Sequence, residues 1–369
     1  MKTTQLYEYH RRHAKLTEFA GYDMPLWYTS TTEEHMAVRE RCGIFDVSHM
    51  GRFAVEGKEA GSFLEKLVPT GVQSQPSGKS FYTLLLNEDA GIIDDLIIVK
   101  LSETDYVVVV NAANAEADMK HMRSLAPGGL RIEDMTATSA MVAVQGPAAQ
   151  AALQALTPTD LGQLKRFGTV ATKVLQQPSL ISRTGYTGED GFEVILEGPT
   201  VEKPEGALAV WEKLAAAAAP CGLSARDSLR LEAGFPLHGN DIDSRTDPLQ
   251  SGLSWVLSRD KTGYVGWEAI ARLRESPPPY VHRGAVLERG IPRHGFEVLD
   301  AGSAPLGTVT SGSFSPVLKK GIALTRVRRD GAELGAQVKV KVRDSAEEGK
   351  LVKPPFYDET RYGWKRAPR

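Results

Sequence analysis

This chain is short of cysteine: Cys42 and Cys221 are the only two in 369 residues. Two thiols so far apart in sequence make neither a disulfide framework nor a zinc-type pair, which points to a reducing compartment. The chain also lacks an excess of either charge. Lys and Arg number 44 against 46 Asp and Glu, a formal net charge of −2, so nothing in the balance calls for nucleic acid or a membrane surface. The tail is a local exception, where Arg361, Lys365, Arg366 and Arg369 cluster, a pattern equally at home on a solvated chain end. Long apolar runs are missing as well. No stretch approaches a transmembrane span, and Met1 to Leu16 has no apolar core and carries Glu8, so it reads as neither a secretory signal nor a transit peptide. The expectation is a cytoplasmic protein.

Nucleotide fingerprints are absent too. The run from Gly71 to Gly78-Lys79-Ser80 ends like a phosphate loop, but Gln73 stands where that loop needs glycine. The glycines of Gly185-Tyr186-Thr187-Gly188-Glu189-Asp190-Gly191 are spaced by threes, which is not the dinucleotide pattern. What remains is an ordinary globular composition, 41% apolar and 24% charged, in a chain long enough for two or three domains.

Helix and strand signals interleave without a regular βαβ alternation, which predicts an α+β fold. Ser30-x-x-Glu33 opens a helix that closes on Gly43, with Met36, Ala37 and the stem of Arg39 inward. Strands are expected at Arg52–Val55, Tyr82–Asn87, Gly91–Leu101 and Tyr106–Asn111, the middle pair joined as a hairpin by Asn87-Glu88-Asp89-Ala90-Gly91. A helix follows at Ala115–Leu125, then a strand at Met141–Val144 and a helix at Pro147–Leu156 with Pro in its first turn. Strands return at Leu180–Arg183 and Phe192–Leu196. Ala207–Ala219 reads as a helix stopped by Pro220, and another begins at Ser224. Ser276-Pro277-Pro278-Pro279 reads as a linker, dividing residues 1–275 from a small all-β domain at 280–369.

Three places in this frame carry charge where the pattern is apolar. Gly91-Ile92-Ile93-Asp94-Asp95-Leu96-Ile97-Ile98-Val99 is a buried-strand pattern interrupted by two carboxylates. Successive side chains point to opposite faces, so Asp94 and Asp95 cannot share an environment. One of them faces packed interior or a cleft wall, where a carboxylate is either paired structurally or used for acid–base or charge-stabilising chemistry. Glu193 lies among Phe192, Val194 and Ile195. It reads either as the polar face of an exposed edge strand or as an acceptor for a flat, donor-rich heterocycle. Arg226 sits in the first turn of its helix, opposing the dipole, which suits an anionic partner as well as a surface arginine with a packed stem. His49 could act in acid–base chemistry or simply be a satisfied structural histidine; no second His or Cys is placed to make a metal site, and none is expected.

Together these segments are recognisable. Gly43-Ile44-Phe45-Asp46-Val47-Ser48-His49-Met50-Gly51, the Asp94-Asp95 strand, Val110-Asn111-Ala112 and Gln145-Gly146-Pro147 resemble the aminomethyltransferases (T-proteins) of the glycine cleavage system. So do Arg183-Thr184-Gly185-Tyr186 through Glu193, Ala225-Arg226-Asp227-Ser228 through Gly234, and Thr310-Ser311-Gly312-Ser313-Phe314-Ser315-Pro316. The resemblance covers nearly the whole chain, in order.

That resemblance implies a three-domain cloverleaf of antiparallel sheets with flanking helices around a central folate channel, ending in a small β-barrel or jelly-roll domain. It implies transfer of a one-carbon unit from the aminomethyl-lipoyl arm of a transiently docked H-protein to tetrahydrofolate, the co-substrate, giving 5,10-methylenetetrahydrofolate, ammonia and the dihydrolipoyl carrier. Asp95 matches the catalytic carboxylate. Glu193 matches the residue gripping the pterin edge, and Arg226 the arginine of the same site. Tyr82, Met50, Asn111 and Tyr186 match the channel lining, and Tyr362 or Arg361 the tail residue that closes it. Tyr22, Val99, Phe235 and His238 depart from the usual residues and touch packing or folate contacts rather than Asp95. A folate-dependent demethylase of the same fold is the alternative.

Overall fold

The computed structural model describes residues 1–343 and 345–366. It is a mixed α+β molecule with several sheets, eight α-helices among the described residues and a closed six-stranded barrel near the C-terminus. The chain divides into two compact units, each built from two segments: residues 1–83 with 95–226, and residues 84–94 with 227–369.

In the first unit a six-stranded sheet carries the largest core. Its strand order runs Thr169–Val174, Gln177–Ser182, Gly191–Glu197, Ser139–Gln145, Gly43–Asp46 and Ala219–Pro220. Period-two alternation sorts the faces. Ile44, Val142, Val144, Ile181, Phe192, Val194 and Leu196 pack on one side with Val210, Trp211 and Leu214 of the helix Glu205–Ala215. Glu193 therefore stands on the other face, in register with Ala143 on one side and Ser182 on the other. The exposed-edge reading of this strand is wrong, because Gly191–Glu197 is flanked by a neighbour on each side.

The hairpin predicted around Asn87 is present, between Lys79–Leu86 and Ile92–Lys100. Asn87 Oδ1 accepts from the backbone N–H groups of Asp89 (3.0 Å) and Gly91 (2.8 Å), the Asx chemistry the sequence offered. These strands continue into Asp105–Val110, Gly51–Glu56 and Arg131–Asp134 as a five-stranded sheet. Burial alternates along Ile92–Lys100, with Asp94 fully buried and Asp95 half-buried.

Several helices are shorter than expected. The first capped helix is Thr31–Glu40, with Ser30 Oγ accepting from Glu33 N at 3.2 Å. Its inward face holds Glu34, His35 and the whole of Arg39 as well as Ala37 and Val38. Pro147 precedes its helix, which is Ala149–Gln154, since Gly146 O caps Ala149 N. The alanine-rich helix ends at Ala215, and Ala219–Pro220 instead forms a short parallel strand beside Gly43–Ile44.

In the second unit the barrel order is Tyr280–Leu287, Lys320–Arg328, Pro305–Ser315, Glu297–Asp300, Gln337–Val342 and Ser345–Val352. Val281, Ala285, Leu287, Val298, Leu306, Val309, Val327, Val338, Val340 and Leu351 fill its core. The Thr310–Pro316 motif is structural. Arg230 Nη1 donates to Asp241 Oδ2 (2.9 Å) and Arg230 Nη2 to Ser311 Oγ (3.0 Å), while Glu232 Oε1 accepts from Val317 N at 3.2 Å and from Ser315 Oγ. These bonds fasten the end of the helix Leu223–Ala233 to the barrel. The turn of the hairpin belongs to this unit too: Ile92 N donates to Asp243 O and Thr246 O, and Asn87 Nδ2 to Ser244 O. No helix among the described residues is long and apolar enough to cross a membrane.

Candidate active site

Asp95 projects from the half-buried face of its strand. Tyr82 Oη donates to its Oδ2 at 3.1 Å, and Asn111 Nδ2 donates to its Oδ1 at 2.8 Å and to its backbone carbonyl at 3.1 Å. Both donors are neutral. They hold the carboxylate in place and fix the direction of both of its oxygens. Two neighbouring carboxylates of the glycine-rich loop are paired with arginines. Asp190 is bridged by Arg183 through Nε (2.9 Å) and Nη2 (2.6 Å), and Glu189 pairs with fully buried Arg39 at 3.0 Å. The sequence separated Asp95 from Asp94 only by alternation; the structure adds what orients it.

Glu193 accepts a 2.6 Å hydrogen bond from Thr184 Oγ1. Arg226 lies with its Cζ 4.8 Å from the centre of the Tyr186 ring. Burial pushes its guanidinium below the ordinary value, and the Glu193 carboxylate and Tyr186 pull it back up. Its Nη1 is buried without a hydrogen-bond partner.

The turn bearing His49 and Met50 is held from both ends. Burial pushes the Asp46 carboxyl up, but hydrogen bonds from His10, Ser48 and Thr4 outweigh it and hold it down at about 2. Arg52, also buried, donates to Ser48 O at 3.0 Å and to Met50 O at 2.5 Å. The same strand edge feeds this turn and the Arg226 helix: Cys221 N donates to Ile44 O at 2.8 Å, so the two segments leave the sheet side by side. His49 is 3% exposed, packed edge-on by Phe19 (5.6 Å) and Tyr22 (6.3 Å), and its Nδ1 has no hydrogen-bond partner. Burial, reinforced by Arg226, pushes it down to about 3, so it is a neutral imidazole at working pH.

Tyr82, Asp95, Asn111, Met50, Tyr186, Glu193 and Arg226 all belong to the first unit; Tyr362 belongs to the second, where its N–H bonds Asp358 O. Of the tail cluster, Arg369 lies outside the described residues. Of the departures, Tyr22 meets His49, Val99 is buried, and His238 Nε2 bonds Ile92 O at 3.2 Å.

Sequence reasoning missed the frame of the glycine-rich loop. Gln145 is fully buried and reaches into it: Nε2 donates to Thr184 O at 3.0 Å and Phe192 O at 3.4 Å, and Oε1 accepts from Thr187 Oγ1 at 2.7 Å. A β-carbon on Gly185 or Gly191 would collide with that side chain. The spacing of those glycines was the available signal. It reports a side chain threaded between two backbone segments, not a phosphate.

Residues 6–261 match the family described as GCVT N-terminal domain, and residues 282–358 the glycine cleavage T-protein C-terminal barrel domain. The chain is 46% identical over 348 residues to the aminomethyltransferase of Thermus thermophilus, covering 93% of this chain and 96% of that one. It is 42% identical over 366 residues to the aminomethyltransferase of Geobacillus kaustophilus, covering 97% and 99%. The crystal structure of glycine cleavage system aminomethyltransferase T from Bartonella henselae matches with a TM-score of 0.90 at 35% identity, covering 98% of this chain and 99% of that one. The chain belongs to the glycine cleavage T-protein family of aminomethyltransferases.

Proposed function

We propose that the protein moves the one-carbon unit of an aminomethyl group from a lipoylated H-protein to tetrahydrofolate, releasing ammonia. The observation that carries this reading is Asp95, a half-buried carboxylate oriented by Tyr82 and Asn111, in a chain that spans nearly the full length of known aminomethyltransferases. Asp95 is the catalytic residue. It orients the reacting folate nitrogen and offsets the positive charge that develops as ammonia leaves, and it can take up a proton there. Glu193 accepts from the donor edge of the pterin, and Arg226 offers its unpaired Nη1 to an acceptor on the same ligand. Met50, Tyr82, Asn111 and Tyr186 line the channel. Tyr362 joins the proposed folate-binding residues on the strength of the resemblance alone. The division into 1–275 and 280–369 is supported by the gap between the two matched domains, at residues 262–281.

The carrier requirement follows from the thiols. Cys42 and Cys221 are both buried and free, and burial pushes the Cys42 thiol up to about 12 and the Cys221 thiol higher than usual. Neither supplies a thiolate to hold the aminomethyl group, so the group arrives on a partner. Two buried free thiols also suit a reducing cytoplasm. Docking is transient and steered by charge, with the basic tail at Arg361, Lys365 and Arg366 as its landing surface.

The test is methylenetetrahydrofolate formation with and without lipoylated H-protein. Formation that depends on the carrier is expected; equal rates without it, or methyl transfer from a sulfonium or aryl ether, would make the protein a demethylase instead. Raising ionic strength should increase the KM for H-protein more than that for tetrahydrofolate. If neither constant moves, the docking surface is wrong.

A further inference from the structure

Glutamate has three side-chain torsions to fix, and a flat ligand edge is read by two oxygens only when both are held in plane. In this protein the fixing group is Thr184. Its hydroxyl donates to Glu193 Oε2 at 2.6 Å, the short distance of a charge-assisted bond. Thr184 is itself 9% exposed, and its carbonyl is held by Gln145 Nε2 at 3.0 Å. Gln145 Oε1 accepts from Thr187 Oγ1 at 2.7 Å. Thr187 O in turn accepts from Arg39 Nη1 at 2.8 Å, and the same nitrogen pairs with Glu189. Hydrogen bonds thus run without a break from the Glu193 carboxylate to a fully buried ion pair on the helix Thr31–Glu40.

We infer that Thr184 is a positioning residue, and that its hydroxyl, anchored by Gln145, pre-sets the Glu193 carboxylate for the ligand edge. This rests on the reading of Glu193 as the pterin-edge acceptor. One Glu193 oxygen is occupied by Thr184 and the other is left for the ligand, so the ordering that binding would otherwise require is already made in the protein. Thr184 touches no reacting atom. Its loss therefore weakens folate binding and leaves the chemical step alone.

The experiment compares Thr184→Val, near-isosteric without the hydroxyl, with Thr184→Ser, which keeps it. Thr184→Val should raise the KM for tetrahydrofolate roughly tenfold, the effect of one charge-assisted hydrogen bond, with kcat and Tm close to wild type. Thr184→Ser should behave like wild type. In a Glu193→Ala background Thr184→Val should add nothing, because the carboxylate it orients is gone. A 2-desamino tetrahydrofolate analogue should be discriminated less sharply by Thr184→Val than by wild type. If Thr184→Val proves unstable, Thr184→Ala replaces it in the same cycle. Unchanged KM in Thr184→Val, or effects that add in the double variant, overturn the inference while leaving Glu193 in place. Unchanged folate affinity in Glu193→Ala overturns the reading beneath it.

Discussion

Around Glu193 and around Arg226 the first unit treats its polar groups in opposite ways. On the Glu193 side Thr184, Gln145, Thr187 and Arg39 form a continuous series of hydrogen bonds. On the Arg226 side two buried nitrogens, Arg226 Nη1 and His49 Nδ1, have no hydrogen-bond partner. A buried donor left unpaired costs on the order of 1–3 kcal/mol. In the proposed folate site these are two walls, and a ligand that pairs the second recovers that cost.

Substitutions can break this contrast. The largest effect is expected at Asp95, a third acceptor, held by Tyr82 and Asn111. Asp95→Asn is nearly isosteric and should lower kcat by a hundredfold or more, roughly the scale of general acid–base catalysis, with tetrahydrofolate affinity largely kept. Stopped-flow turnover beside a binding titration reads both. Asp94→Asn is the control, with milder kinetic damage because its side chain points to the opposite face; equal damage at equal Tm would reverse the assignment.

Next comes Glu193→Ala. Each lost charge-assisted bond is worth about 1.5–3 kcal/mol, so calorimetry should show tetrahydrofolate affinity down tenfold or more.

Arg226→Leu sharpens the comparison most. It should weaken folate binding several-fold while leaving Tm unchanged or raising it, because an incompletely paired buried cation is replaced by packing. Gln145→Leu, on the completed wall, should lower Tm. If Arg226→Leu destabilises as much as Gln145→Leu, the contrast between the two walls does not hold.

The last effect is in acid and falls on stability alone, leaving turnover at working pH unchanged. The folded-state value of His49 is depressed to about 3 against an ordinary 6.5. Between those values the unfolded chain binds a proton that the folded chain does not. Stability contributed by the neutral ring is therefore complete above about pH 6.5 and is lost as pH falls toward 3, by up to about 1.4 kcal/mol per pH unit. His49→Gln should flatten that part of a Tm-against-pH curve. An unchanged slope would mean the ring is not held neutral.

Much of this was legible in the residues. Two carboxylates in an apolar strand announce themselves because alternation forces one inward, and Asp94 is indeed fully buried. Glu193 was visible for the same reason, though its strand was open to a mistaken edge reading, since an edge and an interior strand differ in their neighbours and not in their own pattern. Gln145 was not legible. Its partners are main-chain carbonyls 39 and 47 residues away, and no local periodicity encodes a side chain reaching another segment's backbone. From its own segment Arg39 shows only a packed stem, because burial of the whole guanidinium depends on Glu189, 150 residues distant.

The hairpin turn at Leu84–Asp94 is grouped with residues 227–369 rather than with the strands on either side of it in sequence. Neither unit is thus a single stretch of gene. A fragment begun at Asp227 would lack the chain that gives Asp243 O, Thr246 O and Ser244 O their donors, and a fragment stopped at Arg226 would expose the turn's apolar stem. Limited proteolysis and truncation libraries should therefore yield no stable half-molecule at that junction, and recombination between relatives should tolerate crossovers there only when Leu84–Asp94 is exchanged together with the C-terminal segment.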